Sequence, residues 1–346
     1  MSAERLRIGV IGLGVGEQHV IAFQAHPECQ VVAIADPDSV KRSRARDQWP
    51  EVRICENPDD ITDDPRIDLV CVASPDDAHY RQILRSLENG KHVFAEKPLC
   101  VSEDQTKRIW ETLSHAPHLR LSSNTVLRRS PRFVDLRRRI AGGELGRVYF
   151  VEADYNYGRL WKLTDGWRGR IPGYSVMLGG GIHMADLILW LTGSRVLQVH
   201  AYGTGISSHE TGFAGNDLII ATLALDDGGL GKIAVNFGCV EPHFHRVLVY
   251  GTEATFENGR QGASIQRSRD PNRTPEEIGT AYPGVAKGAL IPSFIDAIRQ
   301  RGRPDVDENE VFAAMAVCHA VDRSLAECGP AEVAYLDRLP QGQLHA

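Results

Sequence analysis

The stretch Arg7-Ile-Gly-Val-Ile-Gly12-Leu-Gly14-Val-Gly16-Glu-Gln-His19 decides the fold. An apolar run enters a glycine-rich turn, and a segment with Val20, Ile21 and Phe23 apolar continues to Pro27. That order predicts strand, tight turn, helix. The next apolar run, Val31-Val-Ala-Ile-Ala35, closes on Asp36. Strand, glycine turn, helix, strand and acid make the opening of a dinucleotide-binding βαβ unit. Gly12 permits the turn, Gly14 lets backbone N–H groups approach a pyrophosphate, and the helix N-terminus adds partial positive charge. Asp36 stands 22 positions after Gly14, where a carboxylate accepts bonds from an adenosine ribose. The third fingerprint position departs from the pattern: it is Glu17, with Gly16 one place early. Helix–strand packing is expected to differ there.

Outward from this unit, strands and helices alternate. Asp68-Leu-Val-Cys-Val-Ala73 reads as a buried strand ending at Ser74-Pro75, with a helix to Asn89-Gly90. Lys91-His-Val-Phe-Ala-Glu96-Lys97-Pro98 reads as a strand ending in two charges and a proline. A helix from Ser102 and a last strand through Asn124 complete a parallel, doubly wound sheet over residues 1–124. The periodicity then changes. Ser130-Pro131 starts a helix, a loop rich in Trp, Arg, Gly and Pro spans 156–174, and a glycine triplet precedes a helix over 183–191. Strand-like runs at 196–203, 217–225, 231–237 and 246–250 lack intervening helices, which predicts an antiparallel or mixed sheet. Amphipathic helices are expected over 291–300 and 308–326. The expected fold is α/β: an N-terminal Rossmann domain, then an α+β domain over 125–346 with an open-faced, mostly antiparallel sheet.

Composition narrows the function. Of 346 residues, 42% are apolar and 24% charged, and the net charge of −6 comes with no long basic stripe, which argues against nucleic acid. Arg137-Arg-Arg139 reads as a solvated helix face. No apolar run approaches the ~20 residues needed to span a bilayer, so no membrane partner is expected. Arg5 and Arg7 interrupt any signal-peptide-like apolar core. Seven scattered cysteines with no C-x-x-C pair fit free thiols in a reducing cytoplasm.

Three stretches together resemble the Gfo/Idh/MocA family, whose name-givers include glucose–fructose oxidoreductase and inositol dehydrogenase. They are the fingerprint through Asp36, the Glu96-Lys97-Pro98 signature at a strand end, and Gly180-Gly181-Ile182-His183 with Asp186 and Trp190. Ser74-Pro75 with His79 supports them. The resemblance implies a Rossmann domain and a C-terminal sheet that mediates self-association, here as a homodimer or homotetramer. It also implies NAD, with NADP as the variant, held by Gly12, Gly14, Val15, Gly16, Asp36, Ser74, Pro75, His79, Glu96, Lys97 and Asn124. Asp36 favours NAD because it repels a 2′-phosphate, while Lys41, Arg42 and Arg44 lie close enough to temper that.

Hydride transfer from a carbinol carbon to nicotinamide needs close positioning and a group that moves the hydroxyl proton. Lys97 is expected at the carboxyl end of a parallel strand, where an ammonium bonds the reacting oxygen. The resemblance makes it the catalytic lysine, with a cis peptide to Pro98. His183 matches the family's active-site histidine, and imidazole carries protons near neutral pH. Many members carry an aspartate four residues before that histidine, where this chain has Gly179. Asp186, Asp165, Tyr157 and Tyr174 are candidates to fill the gap, or the pocket is enlarged. Substrate contacts are expected from Lys97, Tyr157, Arg168 and His183, since aromatic faces with donors suit a sugar or polyol. His243 and His245 alternate at a strand end, and no third ligand points to a metal. The leading function is an NAD(P)-dependent oxidoreductase acting on a sugar, polyol or sugar derivative. The alternatives are a glycoside hydrolase or lyase that uses NAD for transient oxidation, and a non-catalytic cofactor-binding regulator.

Overall fold

The computed structural model describes residues 4–337 and 339. The chain divides into two compact units, neither of them a single run. One comprises Met1–Val126, Ala286–Phe312 and Leu336–Ala346; the other comprises Leu127–Val285 and Ala313–Tyr335. The sequence pattern predicts one continuous second domain over 125–346, whereas Ala286–Phe312 groups with the first unit.

The first unit begins with β1 (Leu6–Ile11), α1 (Gly16–Ala25), β2 (Cys29–Ala35), α2 (Ser39–Gln48), β3 (Arg53–Cys55) and α3 (Asp59–Thr62). It continues through β4 (Leu69–Val72), α4 (Asp76–Glu88), β5 (His92–Ala95), α5 (Glu103–Ser114) and β6 (Leu121–Ser123). The six strands lie in the order β3-β2-β1-β4-β5-β6, all parallel. The order reverses beside β1, so the carboxyl ends of β1, β2 and β4 open on the crevice that dinucleotides use in such sheets. β4 is buried along its whole length, as expected of a central parallel strand. Ser102 caps α5 by accepting the Gln105 N–H at 3.3 Å.

The second unit holds α6 (Pro131–Ala141), β7 (Val148–Asn156), α7 (Trp161–Thr164) and α8 (Ile182–Thr192). Its strands continue with β8 (Val196–Thr204), β9 (Leu218–Leu225), β10 (Leu230–Asn236), β11 (Phe244–Gly251), β12 (Thr255–Gly259), β13 (Gly262–Gln266) and β14 (Glu276–Glu277). The helices α9 (Ile291–Ile298) and α10 (Glu308–Glu327) follow, and β15 (Ala331–Glu332) closes the sheet. Nine strands run β14-β13-β12-β11-β7-β10-β9-β8-β15, antiparallel except where β10 meets β7. α8 packs on β7 and β10. On the other face Tyr149, Tyr202, Ile220 and Leu230 are exposed, so the sheet is open on one side.

α9 belongs to the first unit. Phe294 meets Phe94 of β5 with ring centroids 5.7 Å apart. Ser122 donates to the Val306 carbonyl at 2.9 Å. α9's apolar face buries Ile291, Phe294, Ile295 and Ala297, and that burial decides which unit holds the segment.

Candidate active site

The glycine turn follows β1 as expected. Gly12 has φ +93°, a conformation that favours glycine. A Cβ there would meet the Ala73 carbonyl oxygen at 2.5 Å. At Gly14 a Cβ would meet nothing within 4 Å, so the turn is open on that side. No side chain caps α1, whose N-cap is Val15. Open space in front of uncapped helix amides suits an anionic phosphate. Gly16 supplies the close helix–strand contact: its Cβ position is 3.2 Å from the Ala73 Cβ and 3.4 Å from Val10. The displaced glycine therefore does the packing that Glu17 cannot, one residue early.

Asp36 follows β2 and is 4% exposed. Its carboxylate accepts the Leu13 N–H at 2.7 Å and the Asp38 N–H at 2.8 Å. Lys41 Nζ lies 3.5 Å from one oxygen. A carboxylate has about four lone-pair sites, so Asp36 keeps acceptor capacity for a ribose. Arg42 is committed elsewhere: it donates to the carbonyls of Asp36 and Pro37 and to Glu56. We expect Asp36→Ala to weaken NAD binding by about 10–100-fold, the loss of a charge-assisted bond, and to improve NADP relative to NAD. Calorimetric titration checks this, and unchanged NAD affinity would contradict it.

Ser74 ends the β4 strand region, and its hydroxyl donates to Gln82 Oε1 at 2.7 Å, while Pro75 precedes α4. His79 was expected to touch the cofactor. His79 is fully buried, with ring nitrogens 2.8 Å from the Ser74 carbonyl and 2.7 Å from the Pro98 carbonyl. It ties together the chain segments that follow β4 and β5.

β5 ends at Ala95, and Glu96-Lys97-Pro98 follows with a cis Lys97–Pro98 peptide. Glu96 Oε1 lies 2.9 Å from His19 Nε2 and accepts the Asn124 amide at 2.7 Å. Burial pushes the Glu96 carboxyl up, but His19, Asn124 and the Lys97 charge overcome it and hold the group at about 2. Glu96 is therefore an anion across the working range and a poor proton acceptor. No motif in the sequence gives His19 a role. It sits on α1, is fully buried and edges against Phe94 at 5.6 Å. A histidine between the buried positions Gly16, Val20 and Phe23 was its only signal.

In the second unit, one π-helical turn over Met177–Gly181 leads into α8, and His183 stands in the first turn. The three glycines are dictated by close approach. A Cβ on Gly180 would meet the Tyr155 ring at 2.6 Å, and one on Gly181 would meet the Met177 sulfur at 2.4 Å. His183 is 8% exposed and stacks on Tyr155 with centroids 6.0 Å apart. β11 pairs His245 with Tyr155, and the two rings approach to 5.3 Å. His243 lies 4.6 Å from His245 and 5.0 Å from both Tyr155 and Tyr157. Tyr157 also packs on Phe237 at 4.8 Å. A ligand with C–H faces and hydroxyls suits such a wall. His245 Nδ1 and the Tyr282 hydroxyl are 2.6 Å apart, a partner the sequence did not reveal. Among the described residues, no group of three His, Cys, Asp or Glu is arranged to hold a metal.

The candidates for the gap at Gly179 separate clearly. Asp186 is taken by Arg128 through two bonds of 2.9 and 2.7 Å. Asp165 is exposed and accepts from Thr164. Tyr174 fills the gap: a Cβ on Gly179 would lie 1.8 Å from its hydroxyl. Arg168 donates to that hydroxyl at 3.0 Å and stacks over Trp167 at 4.3 Å.

The same turn carries a titrating group. Ser175 donates to Asp322 at 2.8 Å and accepts the Leu178 N–H. Burial pushes Asp322 from 3.8 up to about 6, against the opposing bond from Ser175. A raised folded-state value means its contribution to stability is complete below the unfolded value and lost as pH rises through about 6. Asp322→Asn is expected to be more stable than the wild type at pH 8 by about 1–2 kcal/mol, with the gap closing towards pH 4. Denaturant melts across that range test it, and a pH-independent gap would contradict it.

Comparison with known proteins decides the kinship. Residues 6–123 match an oxidoreductase family described by its NAD-binding Rossmann fold, and residues 133–257 match the GFO/IDH/MocA C-terminal domain. The chain belongs to the Gfo/Idh/MocA family. Its relatives include the scyllo-inositol 2-dehydrogenase (NAD(+)) of Bacillus subtilis, 26% identical over 72% of this chain and 73% of that protein. Another is the myo-inositol 2-dehydrogenase of Thermotoga maritima, 23% identical over 93% and 97%. Scyllo-inositol dehydrogenase from Lactobacillus casei, solved with bound NAD(H) and scyllo-inositol, superposes with a TM-score of 0.79 at 17% identity. That superposition covers 95% of this chain and 99% of that one. As a Gfo/Idh/MocA protein, the chain has an NAD-binding first unit, and Lys97, two residues after β5, lies within the residues that the family match covers. Among the described residues, no helix is long and apolar enough to cross a membrane.

Proposed function

We propose that this chain is an NAD-dependent dehydrogenase oxidising a secondary alcohol of a cyclic polyol, with inositols as the first substrates to test. One observation carries the reading: Glu96, beside Lys97, is fixed by His19 of the helix that leaves the glycine turn. The nucleotide fingerprint and the charged strand end are thus a single construction. Gly14, Val15 and Gly16 would hold the pyrophosphate and Asp36 the ribose. Bound NAD would supply the acceptor for the hydride of the carbinol carbon. Lys97 donates a hydrogen bond to the substrate oxygen and favours its developing negative charge. His183 takes the hydroxyl proton and passes it to solvent, leaving a ketone. Tyr157 and Arg168 contribute to the polyol's surroundings. The open face with Tyr149, Tyr202, Ile220 and Leu230 is the self-association surface of a homodimer or homotetramer; sedimentation as a monomer at micromolar concentration would contradict this. Seven free thiols fit a cytoplasmic location.

The test is a panel of inositols and linear polyols with NAD or NADP, followed by NADH absorbance. Stoichiometric NADH with a cyclic polyol supports the reading. Turnover without net NADH would favour the hydrolase or lyase alternative. Cofactor binding with no turnover would favour a regulator.

A further inference from the structure

Gly179 precedes His183 by four residues, about one helical turn, so a side chain at 179 would share the histidine's face. The space such a side chain needs is occupied. The Tyr174 hydroxyl lies 1.8 Å from the Gly179 Cβ position, and the ring carbon bearing it lies at 2.7 Å. Tyr174 is 7% exposed. Its oxygen accepts a charge-assisted bond from Arg168, whose own position is braced on Trp167. The Gly179 N–H donates at 3.0 Å to the carbonyl of Ser175, the residue that follows Tyr174.

We propose that Tyr174, backed by Arg168, is the positioning residue for His183. Its hydroxyl takes the place, at the turn carrying the histidine, of a side chain at position 179. This rests on the dehydrogenase reading only for its kinetic consequences. Glycine at 179 and tyrosine at 174 are then one device. Any side chain at 179 must evict the phenol, and loss of the phenol leaves the turn without its prop. The device also sets the charge beside His183. A carboxylate at 179 favours imidazolium, whereas a phenol bound to a guanidinium does not. His183 also faces Tyr155 of β7 and His245 of β11, and His245 in turn adjoins His243 and bonds Tyr282. Asp186 on α8 is bound to Arg128, and Asp322 on α10 is bound to Ser175.

The test is a cycle of four proteins: wild type, Tyr174→Ala, Gly179→Asp and the double variant, with Tyr174→Phe as the conservative control. Thermal melting, NAD affinity and the pH–rate profile of polyol oxidation are read for each. Gly179→Asp alone is expected to be less stable than wild type, and in the Tyr174→Ala background the same change should cost nothing. Tyr174→Phe should lower kcat by about 10–100-fold, as a misplaced proton carrier does, with NAD affinity unchanged. The double variant should exceed both single variants in kcat, with the acid limb of its profile moved to higher pH. Equal destabilisation by Gly179→Asp in both backgrounds would overturn the contact. An unchanged kcat and pH profile in Tyr174→Phe would overturn the positioning role while leaving the dehydrogenase reading intact. If the wild type oxidises no polyol, that reading fails, and the melting cycle still decides the contact.

Discussion

Lys97→Met is expected to lower the single-turnover rate of hydride transfer by about 10²–10⁴-fold, the range for removing a positioned proton or charge partner. NAD affinity should stay near that of the wild type. In the proposed mechanism the side chain's bond to the reacting oxygen strengthens as that oxygen gains charge, so its loss is expected in the chemical step rather than in binding. The neighbouring groups support this. Glu96, held at about 2 by His19, Asn124 and Lys97 against its burial, is an anion at every working pH. Stopped-flow absorbance with saturating NAD measures the effect. A rate within tenfold of wild type would remove Lys97 from the chemistry.

The second large effect concerns folding. Asp186→Ala is expected to destabilise the protein by about 3–5 kcal/mol, the cost of leaving one member of a buried ion pair uncompensated. Arg128 and Asp186 are 2% and 1% exposed at their side chains and meet in a two-pronged bond. Arg128 also lies 5.9 Å over the Trp190 ring, one turn further along α8. The acidic residue of the glycine–histidine segment is thus an anchor for the helix rather than a partner of His183. Equilibrium denaturation checks it, and a loss under 1 kcal/mol would show that the pair contributes little.

The first unit was legible because its signals are local. Gly12, Gly14 and Asp36 occupy positions that backbone sterics and charge require, and the parallel strands are continuous apolar runs. Gly16 shows the limit. A misplaced fingerprint glycine suggested altered packing, and only the approach of Ala73 and Val10 shows that the displaced residue does the same work. His79 stands among the cofactor residues through the family resemblance alone, and its partners, the carbonyls of Ser74 and Pro98, lie 5 and 19 residues away, where no local pattern shows them. In the second unit β12 to β14 escaped detection, being short and polar, with their pairing imposed by neighbouring strands rather than by propensity. The return of α9 to the first unit was also hidden. An amphipathic face announces burial but does not say against what. The occupant of the Gly179 gap had the same difficulty: the sequence shows that a side chain is missing, while the Tyr174 hydroxyl that fills it is a fact of three-dimensional packing.

In the proposed reaction a hydride leaves a carbinol carbon of the substrate and remains on the cofactor. The direct test uses a cyclic polyol deuterated at every carbinol carbon, incubated with the protein and NAD, with the reduced cofactor isolated and weighed by mass spectrometry. One deuterium per reduced nicotinamide is expected, with a ketone product in equal amount, and both should form far more slowly in Lys97→Met. Deuterium released to water with no net reduced cofactor would contradict it, and so would a reduced cofactor without the label.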